Sequence, residues 1–266
     1  MIAFVNGRIL VSTLSLAGSK ELEDLINAGA GLELFAEGPE WRRSQPGDNL
    51  TMDFIRSCDC SRTIHAPFFD LSLASENYPS IRRLTLKVYQ RFLALAAELK
   101  CHYVVIHPHG YGYIYDRPGT SRRAKDSLHV LAARAKEAGV QLAVENIGYG
   151  PAQLFDAGEF IDLFSEINGI AALLDIGHAH LNGWNIPQVI RQLDKHLVSL
   201  HLHDNNGQAD EHLPLGAGRV DWQPVWEALN QLPSMPYLVL EYYRATLPRI
   251  LGDVRHLREI LQKNAG

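Results

Sequence analysis

Cysteine is scarce in this chain: Cys58, Cys60 and Cys101 are odd in number and lack the paired spacing of a disulfide framework or a zinc ribbon. A reducing cytoplasm is therefore the expected compartment. No apolar run approaches the eighteen or so residues of a membrane span, so no membrane partner is expected. Met1 to Leu16 shows no basic region followed by an apolar stretch and a small-residue cleavage site, so no secretory signal is expected either. Basic runs stop at dipeptides (Arg42-Arg43, Arg82-Arg83, Arg122-Arg123), and the formal charge of −5 argues against wholesale coating of nucleic acid. A dinucleotide-binding sheet would want G-x-G-x-x-G after its first strand, and that pattern does not occur.

What is present is a series of short apolar runs, each ending in a residue able to bind a metal. They are Thr63-Ile64-His65, Val104-Val105-Ile106-His107, Leu142-Ala143-Val144-Glu145, Leu173-Leu174-Asp175, Val198-Ser199-Leu200-His201 and Leu238-Val239-Leu240-Glu241. Such runs read as buried parallel strands, and a polar residue at the C-terminal end sits where the strand leaves the core. Helical spacing separates them, for example Leu84, Val88, Phe92, Leu95 and Leu99 within Ser80 to Lys100. Further helices are predicted over Lys20 to Ala28 (capped by Ser19), Ser121 to Ala138, Ala157 to Ile167, Pro187 to His196, Gln223 to Leu232 and Leu247 to Lys263. Earlier strands fit Ile9 to Thr13, after a turn signal at Asn6-Gly7, and Gly31 to Ala36. Eight strands alternating with helices in 266 residues, close to the roughly 250 typical of the fold, predict an α/β protein: a single-domain (β/α)8 TIM barrel over residues 1–266.

Glu145, Asp175, His201 and Glu241 end the fifth to eighth strands, and three carboxylates with one imidazole suit Mn²⁺, Mg²⁺, Co²⁺ or Zn²⁺. Any one of them, taken singly, is better read as a helix cap or a partner of an arginine. Four in succession point to a shared ion. Asp175-x-x-His178 is read as a tight turn, and Asp210-Glu211-His212 offers further ligands from a loop. His65 and His107, taken alone, read more readily as hydrogen-bond donors to substrate or backbone than as ligands. His109 and His203 are expected to face away from their neighbours and either to support the structure or to stand behind the ligands, while His102, His129, His196 and His256 are expected in solvent. Trp41, Tyr111, Tyr113, Tyr115 and Trp184 fall on the rim, where they could stack on a sugar or merely cover the mouth.

The ordered motifs Ile64-His65-Ala66-Pro67, Ile106-His107-Pro108, Val144-Glu145-Asn146, Leu174-Asp175-Ile176-Gly177-His178, His201-Leu202-His203-Asp204-Asn205, Asp210-Glu211-His212-Leu213-Pro214-Leu215-Gly216 and Leu240-Glu241 resemble the xylose-isomerase-like barrel superfamily. That superfamily contains sugar isomerases and epimerases, hydroxypyruvate isomerases, inosose dehydratases and endonuclease IV. The resemblance implies that Glu145, Asp175, His201 and Glu241 are the shared metal ligands, with the two glutamates as acid and base. It also implies that His65, His107, His178, Asp210 and His212 match the positions completing a three-zinc site in endonuclease IV. With neutral histidines these nine residues bring four negative charges, which three divalent ions would overcompensate and one would not. Where the ketose 3-epimerases place an arginine six residues after the metal histidine, this chain has Gly207, which argues against that subgroup.

The expected function is thus a divalent-metal-dependent isomerase or epimerase of a small sugar, sugar phosphate or hydroxy-keto compound. It uses one to three ions, with Glu145, Glu241 and His178 catalytic and His65, His107, His212 and Trp184 against the substrate. The alternative is a zinc phosphodiesterase acting on abasic DNA, the only reading in which nucleic acid is a partner.

Overall fold

The structure, a computed structural model, describes residues 7–18, 20–37, 41, 50–110, 112 and 114–263. The expectations for Asn6, Ser19, Arg42, Arg43, Tyr111 and Tyr113 lie outside the described residues. The eight strands are β1 (Ile9–Ser12), β2 (Gly31–Phe35), β3 (Arg62–His65), β4 (Tyr103–Ile106), β5 (Gln141–Glu145), β6 (Ile170–Asp175), β7 (Leu197–Leu202) and β8 (Tyr237–Leu240). They pair in parallel and in sequence order, and β8 closes on β1 through Ile9 beside Leu238 and Val11 beside Leu240. This is the (β/α)8 barrel expected from the sequence.

Around it lie α1 (Lys20–Asn27), α2 (Leu50–Ser57), α3 (Pro79–Glu98), α4 (Arg117–Ala138), α5 (Ala157–Glu166), α6 (Ile176–Leu181), α7 (Ile186–Leu193), α8 (Trp222–Leu229) and α9 (Leu247–Lys263). Their starts are chemically marked. Asp156 and Glu159 form a reciprocal capping box on α5, Asp116 accepts from Gly119 N on α4, and Gly139 ends α4 at φ 68°, where a side chain would be strained. No helix among the described residues is long and apolar enough to cross a membrane.

Strand alternation sorts the side chains into two cores. One parity faces the helices and joins the large outer core; the other points into the barrel, where Tyr103, Val105, Ala143 and Leu173 form a small separate plug. Above the plug the inward residues turn polar. Glu33 is level with Thr63, and Asp175 with His201, in the strand register. Two residues beyond Glu33 and Thr63, Phe35 and His65 line the mouth.

The long β7–α8 connection is held by one carboxylate. Asp204, fully buried, accepts from the backbone N–H of Asn205, Gly216 and Val220 at 2.9, 3.0 and 3.0 Å and from the Trp222 indole at 3.1 Å. Its own backbone exchanges two hydrogen bonds with Leu213, at 2.7 and 2.8 Å, which folds residues 205–212 back over the barrel mouth. Removing a buried acceptor leaves each of its donors unpaired, at a cost of about 1–3 kcal/mol apiece before relaxation. Asp204→Ala is expected to lower stability by roughly 2–4 kcal/mol, and Asp204→Asn, which keeps one acceptor oxygen, by less. Urea unfolding midpoints check both; an Ala variant as stable as the parent would contradict this role.

Candidate functional site

Glu145, Asp175, His201 and Glu241 converge as the strand-end pattern predicts. His201 Nδ1 lies 3.2 Å from Glu241 Oε2, 3.6 Å from Glu145 Oε1 and 3.7 Å from Asp175 Oδ2. All four side chains are buried. Two further groups adjoin this one. Glu145 Oε2 lies 3.2 Å from His65 Nε2 and 3.1 Å from His107 Nε2, and Asp210 Oδ2 lies 3.1 Å from His178 Nε2 and 3.2 Å from His212 Nε2. Among the described residues the nine fall, with Glu33 and His203, into five overlapping groups close enough to share an ion: His65–His107–Glu145, His178–Asp210–His212, His203–His212–Glu241, Glu33–His201–Glu241 and Glu145–Asp175–His201.

Burial alone would raise the Glu145 carboxyl, but the facing His107 and His201 hold it well below the usual carboxylate range. Asp175 is likewise held low against burial by His178 and His203, and Glu241 is brought to about 2 by His201 and His212. In return Asp210 and Glu241 overcome burial to lift His212 to about 9. The carboxylates are thus ionised acceptors at neutral pH.

The imidazole protons are directed by what lies behind each ring. His65 Nδ1–H donates to Ala66 O and His212 Nδ1–H to Glu241 O, each at 2.9 Å, leaving Nε2 toward the carboxylates. His212 does so from a left-handed backbone, φ 47°, strained for a non-glycine residue and held by the folded-back loop. His201 Nδ1, buried, has no hydrogen-bond partner, and neither do His178 Nδ1 and Asp210 Oδ1. A buried ring nitrogen and carboxylate oxygens aimed at one point is the donor set a divalent cation requires.

Several expectations are corrected. Asp175-x-x-His178 is no turn: Asp175 caps α6, its Oδ1 accepting from His178 N at 2.6 Å, so His178 stands on the first turn of a helix. His203 does not face away. It is buried, donates through Nε2 to both oxygens of Asp175 at 2.9 and 3.1 Å, and stacks on His212 at 3.8 Å. His109 is buried, binds Ala152 O at 2.9 Å, and is pushed by burial down to about 4, in keeping with a structural role. Trp184, expected against substrate, packs on the outer core beside Phe160 and does not line the mouth, because α6 carries the chain away from it. Trp41 likewise packs against Phe92.

Glu33 was missed. Fully buried on β2, it accepts from His201 Nε2–H at 2.8 Å and from Thr63 Oγ1 at 3.1 Å. The signal was an acidic residue inside the apolar run Leu32-Glu33-Leu34-Phe35, which reading only strand ends passes over.

The mouth opens as a cavity of about 370 Å³. His65, His107, Glu145, His178, Asp210, His212 and Glu241 line one part, and Leu14, Phe35, Phe68, Phe69 and Tyr243 the other. Phe68 stacks on His107 at 4.5 Å, fixing the boundary between the two. No lysine or arginine lines it among the described residues.

Gly177 leaves room for His203: a Cβ there would fall 2.0 Å from His203 Cε1. Gly177→Ala is expected to displace the ring from Asp175 and lower stability by about 1–3 kcal/mol, read as a fall in thermal midpoint. His203→Ala introduced beside it should add less than it does alone; strict additivity would contradict the clash.

The Xylose isomerase-like TIM barrel family model matches residues 28–263. An uncharacterized protein of Methanocaldococcus jannaschii is 28% identical over 255 residues, covering 94% of this chain and 99% of its own. Among solved structures, a D-tagatose 3-epimerase-like protein superposes with a TM-score of 0.79 at 23% identity, covering 97% of each chain. Endonuclease IV from Thermus thermophilus superposes at 0.69 with 23% identity, covering 96% of this chain and 99% of that one. Structural likeness at this identity shows the fold, which both chemistries share. With a family match over most of its length and the barrel to go with it, the chain belongs to the xylose isomerase-like TIM barrel family.

Proposed function

We propose that the protein is a divalent-metal-dependent isomerase or epimerase acting on a small sugar or hydroxy-keto compound. The observation that carries this is His201 Nδ1, buried and without a hydrogen-bond partner among the described residues, facing Glu145, Asp175 and Glu241 at 3.2–3.7 Å beneath the cavity at the barrel mouth. Those four residues would hold the ion. When bound, it supplies Lewis-acid stabilisation of the negative charge that develops on a substrate oxygen as an adjacent C–H is deprotonated.

The chain's own residues do the rest. Glu145 and Glu241 both line the cavity from non-adjacent strands, β5 and β8, so they address a substrate from different sides. Either, ionised as both are, takes the C–H proton as base; the carboxyl formed by that transfer is then the acid that returns a proton to the substrate. His178 and His212 reach the same cavity and orient hydroxyls. Phe35, Phe68, Phe69 and Tyr243 cover the apolar face of the substrate and exclude water. The lack of any lysine or arginine among the described lining residues favours an unphosphorylated substrate over a phosphate ester.

A second reading, the zinc phosphodiesterase acting on abasic DNA, draws support from the two flanking groups, His65–His107–Glu145 and His178–Asp210–His212. Glu33 shifts the balance away from it, because five carboxylates leave even three divalent ions little excess positive charge for a phosphodiester. The epimerase-like neighbour supports the first reading and the endonuclease IV neighbour the second, each as a likeness of fold.

Metal analysis of the purified protein is expected to give one exchangeable divalent ion per chain; three tightly held zinc ions would reverse the ranking. Incubated in D₂O with a panel of ketoses and hydroxy-keto acids, the enzyme should place solvent deuterium on carbon in at least one. Failure across the panel together with cleavage of an abasic oligonucleotide would replace the isomerase by the nuclease. Glu145→Gln and Glu241→Gln are each expected to reduce turnover by about a hundredfold or more, with the folded state retained by circular dichroism.

A further inference from the structure

We infer that Glu33 is a positioning residue: by accepting the His201 Nε2 proton it sets that ring in the tautomer opposite to those of His65 and His212 and aims the Nδ1 lone pair at the cation. The inference rests on the metal-dependent reading above and concerns a residue outside the nine ligands.

The geometry sets His201 apart from His65 and His212. His65 and His212 are fixed by backbone carbonyls, Ala66 O and Glu241 O, each bound at Nδ1, so both present Nε2. His201 projects inward from β7, and no backbone carbonyl hydrogen-bonds to either of its ring nitrogens. The atom facing its Nε2, at 2.8 Å, is a Glu33 carboxylate oxygen from β2, far away in sequence and on the far side of the barrel. Glu33 is as buried as the ring it binds, and its second oxygen takes the Thr63 hydroxyl at 3.1 Å, so the carboxylate has no freedom to turn aside. Below it the hydroxyl of Tyr103 donates to Ser199, which donates on to Tyr237 O, filling the barrel with oriented polar groups down to the plug.

A buried anion needs a compensating interaction, and an apolar residue would fill this position at lower cost. Glu33 is therefore retained for what it does to His201. A carboxylate hydrogen bond to the distal nitrogen of a ligand imidazole fixes ring orientation and makes the other nitrogen a stronger donor, and losing such a partner lowers metal affinity roughly 10- to 100-fold. Without it the Nε2–H has no acceptor, and the ring is free to carry its proton on Nδ1. That proton would point at Glu145, Asp175 and Glu241 and occupy the cation position.

The test uses the full chain, stripped of metal, with Zn²⁺ as probe. Competition with a chromogenic chelator is expected to show Glu33→Ala binding Zn²⁺ roughly 10- to 100-fold more weakly than the parent. Glu33→Gln, whose amide oxygen still accepts from Nε2–H, should fall between. Long-range ¹H–¹⁵N correlation spectra should place the His201 proton on Nε2 in the parent and in Glu33→Gln, and on Nδ1 or in exchange in Glu33→Ala. A purely structural role would lower the thermal midpoint yet leave affinity and tautomer unmoved, and that result overturns the inference. So does a parent protein carrying its His201 proton on Nδ1. Should Glu33→Ala fail to fold, Glu33→Gln decides: affinity equal to the parent's overturns the inference, and a weaker affinity with the tautomer kept supports it. A parent that binds no divalent ion removes the metal-dependent reading itself, whereas a parent that binds Zn²⁺ beside variants that bind it equally well removes only the role of Glu33.

Discussion

A carboxylate taken out of water costs several kcal/mol unless its oxygens are met by donors or cations, and the mouth of this barrel buries Glu33, Glu145, Asp175 and Glu241 together. What faces them is almost entirely imidazole. His65 and His107 answer one oxygen of Glu145, His203 answers Asp175, and His201 lies between Glu33 on one side and the remaining carboxylates on the other. Strand parity places these residues inward, and the short loops hold their rings. His201 Nδ1 lies among carboxylate oxygens of Glu241, Glu145 and Asp175 without a hydrogen-bond partner, and against burial Glu241, Glu33 and Glu145 hold that imidazole well above its usual range. A positive charge at that point, whether the ring proton or a metal ion in its place, is what surrounding carboxylate oxygens stabilise.

How the sequence reveals this follows from where the information lies along each strand. A polar residue ending an apolar run marks the exit of a buried parallel strand, so Glu145, Asp175, His201 and Glu241 could be read directly, and the alternation with helical spacing yields the closed barrel. Glu33 escapes the same reading because it lies inside its strand, followed by Leu34 and Phe35, where parity rather than position decides which way it points. The helices α2 and α6 were not foreseen. In α6 the reason is physical: Asp175 is both a ligand candidate and the cap that starts the helix, and one residue serving two purposes hides the boundary. Trp184 was misplaced as a consequence, since a loop was assumed where a helix leads the chain outward.

Beyond strand ends, the site depends on loop structure that spacing alone does not encode. Asp210 and His212 reach the cluster because Asp204 gathers four donors and returns the chain across the mouth. His203 reaches Asp175 because residue 177 has no side chain to exclude it. In both cases the residue that makes the ligand available is not itself a ligand, and no spacing rule ties it to one, so its purpose shows only once the backbone path is known.

The closure of β8 on β1 brings a consequence for assembly. The central donors come from β5, β6, β7 and the residue just past β8, and the carboxylate behind His201 comes from β2, so no contiguous half of the chain holds the full set. An ion held there would have its full affinity only after the ring has shut, and by linkage, at roughly a hundred times its dissociation constant, it would add about 2.7 kcal/mol to the closed form. Metal supply would then act as a fastener between the first-made and last-made portions of the polypeptide, biasing a nascent chain toward completion rather than toward an open sheet with an unpaired edge.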